Sequence, residues 1–298
     1  MGRTLTFSLA ALAAAIGGLS AGEPAKLVAF ERGSDIWIAN LDGSKAAKIT
    51  KGSGPDLSPD GKRIAFNTDT STSKEVIRQI ALADVATKKV TVFKNEIPSQ
   101  NCQRAIWSPD GRQILFSIWD NADWHLALFN ADGTGFRFVK RTQNRNSLWS
   151  YCWAADGRSI YAQDLNTLYL LDLEGGELDK WTLQSLFPNG SFNSGSTFAV
   201  SNDGQKMLME VDMDNEQANL PDWEGPPPSV WVLNLKTQQS RRLTPKGVLA
   251  SHPSWVDPEH FVFASQNGKE KNPSIFIGSL TGPDHKVVIR NGSNPSAR

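Results

Sequence analysis

The stretch LSPDGKRIAF, residues 57–66, decides the fold because it recurs along the chain. Its copies are WSPDGRQILF at 107–116, WAADGRSIYA at 153–162, VSNDGQKMLM at 200–209 and the more degenerate WVDPEHFVF at 255–263. A catalytic acid is needed once, whereas the aspartate of this phrase returns as Asp60, Asp110, Asp156 and Asp203, so we interpret it as a turn residue. Asp-Gly favours tight turns because both residues tolerate positive φ and the carboxylate bonds nearby amides.

A second phrase alternates with the first, and its fifth position is polar in every copy. The copies are IWIANLDG at 36–43, IALADVAT at 80–87, LALFNADG at 126–133, LYLLDLEG at 168–175, VWVLNLKT at 230–237 and IFIGSLTG at 275–282. Each unit therefore predicts four short strands: strand a before the SPDG-like turn, strand b after it, strand c in the second phrase and strand d behind that phrase. Four-stranded units at a period in the forties are typical of a β-propeller, so we predict an all-β, six-bladed propeller with antiparallel blades.

The chain end predicts how the ring closes. The first unit has no strand a, but IRNGSNPSAR at 289–298 aligns without a gap to ITKGSGPDLS at 49–58. We therefore expect the tail to supply strand a of the first blade, which removes an open sheet edge. The predicted blades are 26–50 with 293–298, 54–94, 103–140, 149–182, 196–244 and 251–290.

The beginning of the chain predicts export. Arg3 precedes an apolar stretch that ends in small residues, which is typical of a cleaved signal peptide at 1–21 followed by a propeller at 22–298. An uncleaved anchor is the alternative, but Gly17, Gly18 and Ser20 interrupt the run before the ~20 apolar residues that a membrane span needs. We expect a protein of the periplasm or the secreted fraction, without a transmembrane segment after cleavage.

Charge and cysteine content narrow the function. The 31 basic and 31 acidic side chains balance, which disfavours a nucleic-acid partner or an anionic membrane. Cys102 and Cys152 are the two cysteines of the sequence. In an oxidising compartment they either form a disulfide or act as two separate small apolar residues, and the sequence leaves both readings open.

The long loops predict a binding face. In a propeller the SPDG-like and c–d turns share one face, while the b–c and d–a loops share the other, where these loops are long and differ between blades. On that face SIWDNADW at 117–124 and RTQNRNSLW at 141–149 supply the candidate residues Trp119, Asp120, Asp123, Trp124, Arg141, Arg145 and Trp149. Such side chains suit a sugar ring or a protein partner, although propeller tryptophans also pack between blades.

Two further features lie on the same predicted face. The insertion at 211–228 holds Trp223 and the carboxylates Asp212, Asp214 and Glu216, which are either calcium ligands or a solvated acidic loop. An EF-hand is disfavoured because Gln217 stands where glycine is needed. His252 is the histidine placed nearest the channel, as a ligand-binding or a structural group, and no cofactor is predicted.

The repeated phrases resemble those of exported TolB-like propellers, whose pattern W-S-P-D-G-[KR]-x-I-A-F followed by D-I-W-x-x-x-L-D-G is matched at 107–116 and 34–43. The resemblance covers nearly the whole mature chain and implies an exported propeller, with the periplasm as its compartment. TolB carries an α/β domain before its propeller and some related peptidases carry a hydrolase domain after theirs. We expect this chain to correspond to the propeller module alone.

Two functions follow from these predictions. The first is a noncatalytic, monomeric binding module that engages an envelope protein or an envelope glycan through the long-loop face. The second is a metal-dependent lyase or hydrolase that acts on polysaccharide, with residues from several blades meeting at the channel mouth. The enzyme requires His252, Asp212 and an aspartate of the 120–123 loop within metal-ligand distance of one another.

Overall fold

The computed structural model describes residues 26–140, 147–266 and 270–298. The predicted signal peptide therefore lies outside the described residues, as do Arg141 and Arg145. Within the described ranges, the chain forms six antiparallel sheets, five of four strands and one in which two short strands share the innermost position. The predicted all-β, six-bladed propeller is confirmed.

The strands of the first three blades follow the predicted a-to-d order, and the tail completes the first of them. They are β1 (Leu27–Arg32), β2 (Asp35–Asn40), β3 (Ala47–Lys51), β4 (Ser53–Leu57), β5 (Arg63–Asp69), β6 (Arg78–Asp84), β7 (Val90–Val92), β8 (Cys102–Trp107), β9 (Gln113–Asp120), β10 (Asp123–Asn130) and β11 (Arg137–Lys140).

The other three blades contain the remaining strands and one helical turn. They are β12 (Tyr151–Trp153), β13 (Ser159–Gln163), β14 (Thr167–Asp172), β15 (Glu177–Thr182), α1 (Leu183–Leu186), β16 (Gly190–Ser191), β17 (Phe198–Val200), β18 (Lys206–Met213), β19 (Pro228–Asn234), β20 (Ser240–Arg242), β21 (Leu249–Trp255), β22 (His260–Gln266), β23 (Ser274–Ser279), β24 (Lys286–Ile289) and β25 (Ser293–Ala297).

The unbroken apolar runs of the b strands reflect burial on both sheet faces. In β5, Ile64 and Phe66 pack in one cluster with Ile36 of the first blade, whereas the intervening Ala65 packs in another cluster with Phe116 of the third blade. A strand between two neighbouring blades is thus apolar at every position rather than at alternate positions. Burying both faces joins each blade to the next around the ring.

The SPDG phrase forms the turn that its repetition predicts. The Gly61 N–H donates to the Ser58 carbonyl at 2.8 Å, and the Ser58 hydroxyl and Lys62 N–H donate to the Asp60 carboxylate at 2.6 and 3.1 Å. One detail of the expectation is wrong: glycine takes positive φ, +70° at Gly61, but the aspartate before it does not. Gly61 adopts the positive φ that the turn requires, so Asp60 keeps an ordinary backbone conformation. Asp60 stabilises the turn through the hydrogen bonds of its side chain.

The tail closes the ring as predicted. β25 pairs with β1, with Ala297 opposite Val28. Its Ser296 hydroxyl accepts the Leu57 N–H at 3.0 Å and donates to Asp56 at 2.8 Å, both in the next blade. The first blade is thus built from both ends of the described chain. No helix in the described ranges is long and apolar enough to cross a membrane.

Candidate functional site

The six innermost strands surround a channel whose cavity has a volume of about 1010 Å³. Its mouth on the long-loop side is lined by residues at the beginnings of these strands, among them Gly54, Arg104, Ser194 and His252. Its other mouth is lined by the SPDG-like turns, including Pro59 and Pro109. A ligand cavity of this size is within the range that small molecules and peptide segments occupy.

Four of the inner strands carry the same distortion at the long-loop mouth. Gly54, Arg104, His252 and Asn294 have φ between 47° and 59°, and the pairing of each strand with its b strand shifts register beside that residue. These are β-bulges, and each brings a left-handed residue to an equivalent position in the ring. Left-handed backbone costs about 1–2 kcal/mol for residues other than glycine and asparagine, so Arg104 and His252 are strained.

The strand-b side chains of the preceding blades hold three of these bulges. The Arg104 N–H donates to the Asn67 amide oxygen at 2.8 Å, and the His252 N–H donates to the Glu210 carboxylate at 3.0 Å. The Gly54 N–H donates to the Glu31 carboxylate in the same way. Asn67 and Glu210 are buried polar residues in otherwise apolar b strands. Each accepts a backbone N–H from the bulge of the next blade, which satisfies both buried groups.

Arg104 and His252 approach the same part of the fifth blade. The Arg104 guanidinium lies 5.2 Å from the centre of the Tyr151 ring and donates to the Ser196 carbonyl at 3.4 Å. The next residue, Thr197, donates from its hydroxyl to the Glu210 oxygen that also accepts the His252 N–H. The sequence predicted that His252 lies near the channel, and in the structure this residue lines the cavity. The sequence analysis did not identify Arg104.

The SIWDNADW segment is a hairpin rather than a long loop. β9 and β10 pair through Asp120 and Asp123, which leaves a two-residue turn at Asn121 and Ala122, with φ of 48° and 65°. Trp119 and Trp124 face each other across the strands, with ring centres 5.5 Å apart at 68°. The hairpin therefore presents a paired aromatic surface at the rim of the long-loop face.

Of the 141–149 segment that was predicted to lie beside this hairpin, the structure describes residues 147–149. The Ser147 hydroxyl donates to the Asp123 carboxylate, which ties the two segments together. Trp149 is half-buried, and its N–H donates to the Gln163 carbonyl at 2.9 Å. The structure thus places Trp149 beside the fourth blade's b strand.

Exposed apolar side chains collect on the long-loop face. Among the described residues, the large hydrophobic side chains with the most exposure are Val76, Trp119, Leu165, Trp223 and Leu178. The first four, 39% to 44% exposed, all lie at the b–c connections, one in each of blades two to five. We call these four residues the apolar crescent. Leu178 is the exception, since it lies in β15, the outer strand of the fourth blade.

The carboxylates of the long insertion do not form a shared site. Asp212 accepts from the Asn193 amide at 2.6 Å, Asp214 accepts from the Ser191 hydroxyl at 2.6 Å, and Glu216 pairs with Arg242 and accepts the Gly247 N–H. Burial raises the pKa of Asp212 above its ordinary value, and the hydrogen bond from Asn193 opposes that rise. The three weak metal candidates thus have separate protein partners.

The convergence that the enzyme requires is not seen in the described ranges. They contain no group of three or more histidine, cysteine, aspartate or glutamate side chains placed to hold a metal ion. The cysteine alternatives are resolved in favour of two separate buried thiols, and burial raises the pKa of both Cys102 and Cys152 to about 12. Thiols in that environment are poor nucleophiles.

Comparison with known proteins shows the fold. TolB from Acinetobacter baumannii superimposes with a TM-score of 0.66 at 19% identity, covering 92% of this chain and 66% of that one. A putative TolB from Agrobacterium tumefaciens gives 0.62 at 14% identity, covering 92% and 96%. Oligogalacturonate lyase from Vibrio parahaemolyticus gives 0.51 at 18%, covering 83% and 72%.

These likenesses establish a propeller similar to the TolB propeller domains. No protein-family model and no curated protein matches the sequence. The chain spans 66% of the length of the Acinetobacter protein. A shared fold does not fix function, which depends on the residues of the site.

Proposed function

We propose that this chain is an exported, noncatalytic binding propeller that docks a protein partner on its long-loop face. The observation that carries the proposal is the apolar crescent, Val76, Trp119, Leu165 and Trp223, because four of the five most exposed large hydrophobic side chains of the described residues share one face. Single exposed hydrophobic residues are ordinary, whereas four at the equivalent connection of successive blades give one face a series of apolar contact points, which supports an interaction surface.

The chemistry of the crescent favours a protein over a glycan. Sugar rings stack on flat aromatic faces, which Trp119 and Trp223 offer but Val76 and Leu165 do not. Leu165 also has φ of 77°, an uncommon conformation for a bulky aliphatic residue. Residues in such strained conformations cluster at functional sites, where the surrounding structure holds them in place.

Export to the periplasm supports a partner in the cell envelope. It rests on the signal-like sequence at 1–21 and on the likeness to TolB propellers. An envelope protein is accordingly the partner for which the crescent should be tested.

The test compares two variants in capture from the organism's own envelope extract. Trp119→Ser, Leu165→Asn and Trp223→Ser are combined in one protein, with asparagine at 165 because it tolerates positive φ. The control is Leu178→Ser, which removes an equally apolar, 57% exposed side chain away from the face.

The parent and the Leu178→Ser control should retain the same protein in stoichiometric amount, and the triple variant should retain at least tenfold less. Thermal melting of all three proteins verifies that the fold is intact. Equal retention by the triple variant, or capture of no specific protein by the parent, would show the proposal to be wrong.

A further inference from the structure

The channel mouth on the long-loop side contains a cationic and an imidazole side chain that the fold holds in strained positions. Arg104 and His252 occupy equivalent bulge positions in the third and sixth blades, with φ of 54° and 53°. Both residues line the cavity. Strain retained at two equivalent channel positions indicates that their side chains serve a purpose other than stability.

Arg104 retains most of its hydrogen-bonding capacity. A guanidinium has five N–H donors, and within the described residues it makes one hydrogen bond, from Nη1 to the Ser196 carbonyl. The Tyr151 ring lies 5.2 Å from its central carbon, which orients the planar group without using its donors. The remaining donors are available for an acceptor within the channel.

His252 is fixed by its backbone, and its ring makes no hydrogen bond with the described residues. Its N–H is held by the Glu210 carboxylate at 3.0 Å. Its Nδ1 is buried and makes no hydrogen bond with the described residues. The residue as a whole is half-buried and lines the cavity, so the part of the ring that a ligand can reach is the edge away from Nδ1.

Hydrogen bonds bring the two side chains to one stretch of the fifth blade. Arg104 reaches the carbonyl of Ser196, and the Thr197 hydroxyl donates to the Glu210 oxygen that binds the His252 N–H. Ser194 and Gly195 line the cavity just before this stretch. An acceptor group in the cavity beside residues 194–197 therefore lies next to the Arg104 guanidinium and to the strand that carries His252.

Acidic groups at the mouth limit the charge of that acceptor. Glu31 lines the cavity and accepts the Gly54 N–H, while Asp69 lines it and lies 3.7 Å from Arg78. These groups belong to the first two blades, which in a six-bladed ring lie across from the fourth and fifth. Together with the buried Glu210 and the nearby Asp212, they favour a singly charged anion over a doubly charged phosphate.

We propose that the long-loop mouth of the channel binds a carboxylate group between Arg104 and His252. The planar fork of arginine matches a carboxylate, and the imidazole supplies a second donor. An acidic side chain of a docked protein and an acidic sugar share this chemistry. The inference rests on the proposed use of the long-loop face and names the group that this face recognises.

The experiment follows His252 directly by NMR. Protein labelled with ¹³C in its histidine rings is titrated with triglutamate or digalacturonate, and the neutral probes triglutamine and the methyl ester of digalacturonate serve as controls. The His252→Gln variant assigns the signal among the four histidines of the chain. We expect a saturable shift of the His252 ring with an acidic probe and none with its neutral counterpart.

Two variants test the role of Arg104. Arg104→Gln should weaken binding at least tenfold and Arg104→Lys should weaken it less, since lysine keeps the charge without the fork. The matched control is Arg112→Gln, because Arg112 is exposed in an SPDG-like turn at the opposite face. It should bind as the parent does.

The outcomes separate the ligand sources and the two proposals. A shift with triglutamate supports an acidic side chain, and a shift with digalacturonate alone supports an acidic sugar. No saturable shift with either acid, equal binding of the neutral probes, or undiminished binding by Arg104→Gln overturns the carboxylate site. The probes do not need the apolar crescent, so the crescent variant should bind them normally even if it fails to capture a protein.

Discussion

At the scale of single residues, the recurring aspartates are structural acids. The hydrogen bond from Ser58 holds the pKa of Asp60 below its ordinary value of 3.8, and the bond from Ser201 does the same for Asp203. Each carboxylate also accepts a backbone N–H two residues further on. The same residue type thus performs one local task in several blades, which is why its repetition was informative.

These pKa shifts predict how stability depends on pH. Because the folded-state pKa values are lower than the unfolded ones, the unfolded chain binds protons more readily as the pH falls. The stabilisation is therefore complete well above pH 3.8 and is lost as the pH falls through the lower folded-state values. Urea unfolding between about pH 6 and pH 2.5 should show a smaller loss of stability for Asp60→Asn combined with Asp203→Asn than for the parent. An identical loss in both proteins would contradict this role.

At the scale of elements, the strands and turns follow from the sequence more directly than the bulges do. Strand order, the SPDG-like turns and the closing tail follow from local patterns that recur in the sequence. The bulges depend on partners in another blade, such as Asn67 for Arg104 and Glu210 for His252. Proline follows His252 and Asn294 and favours an extended residue before it, so local sequence argues against the observed φ.

One sequence signal for the bulge did exist. Gly54 and Arg104 each stand six residues before the turn aspartate, at Asp60 and Asp110, and glycine is the residue most tolerant of positive φ. Asn294 occupies the equivalent position in the aligned tail, and asparagine is also tolerant. Comparison of the repeats for residues that favour positive φ, rather than for reactive side chains, would have located Arg104.

Because His252 lies in a bulge with positive φ, we expect substitutions there to change stability differently from substitutions at an ordinary strand position. His252→Gly should leave stability unchanged or raise it by up to about 1 kcal/mol, because glycine adopts positive φ without strain. His252→Val should lower stability by about 1–2 kcal/mol, since a β-branched residue is disfavoured there. Ser251→Gly, in the same strand beside the bulge, should cost about 0.5–1 kcal/mol. Urea unfolding measures all three, and a larger cost for His252→Gly than for Ser251→Gly would rule out relief of strain.

At the scale of the whole molecule, the ring is closed by side chains that cross from blade to blade along the channel wall. The Ser254 hydroxyl of the sixth blade accepts the Ala297 N–H at 3.0 Å, and Ser296 of the tail accepts the Leu57 N–H at 3.0 Å. The Asp56 carboxylate then accepts the Trp107 N–H of the third blade at 2.7 Å. The first blade, where the two ends of the described chain meet, is thus joined to both neighbouring blades by hydrogen bonds from a backbone N–H to a serine hydroxyl. A rigid ring keeps Arg104 and His252, which come from opposite blades, at a constant separation.

Asp56 is the residue at which this closure can be tested. Its carboxylate binds Trp107 in one neighbouring blade and Ser296 in the other, and Arg298 lies 3.4 Å away. Asp56→Ala leaves the Trp107 N–H without its acceptor at a largely buried position, so we expect a loss of about 2–3 kcal/mol. Asp69→Ala removes an exposed carboxylate of the same blade, 3.7 Å from Arg78, and should cost less than about 0.5 kcal/mol. Hydrogen exchange should also show faster exchange at Leu57 and Trp107 in the Asp56 variant alone. Equal stability of the two variants would mean that strand pairing between β1 and β25 closes the ring without help from these side chains.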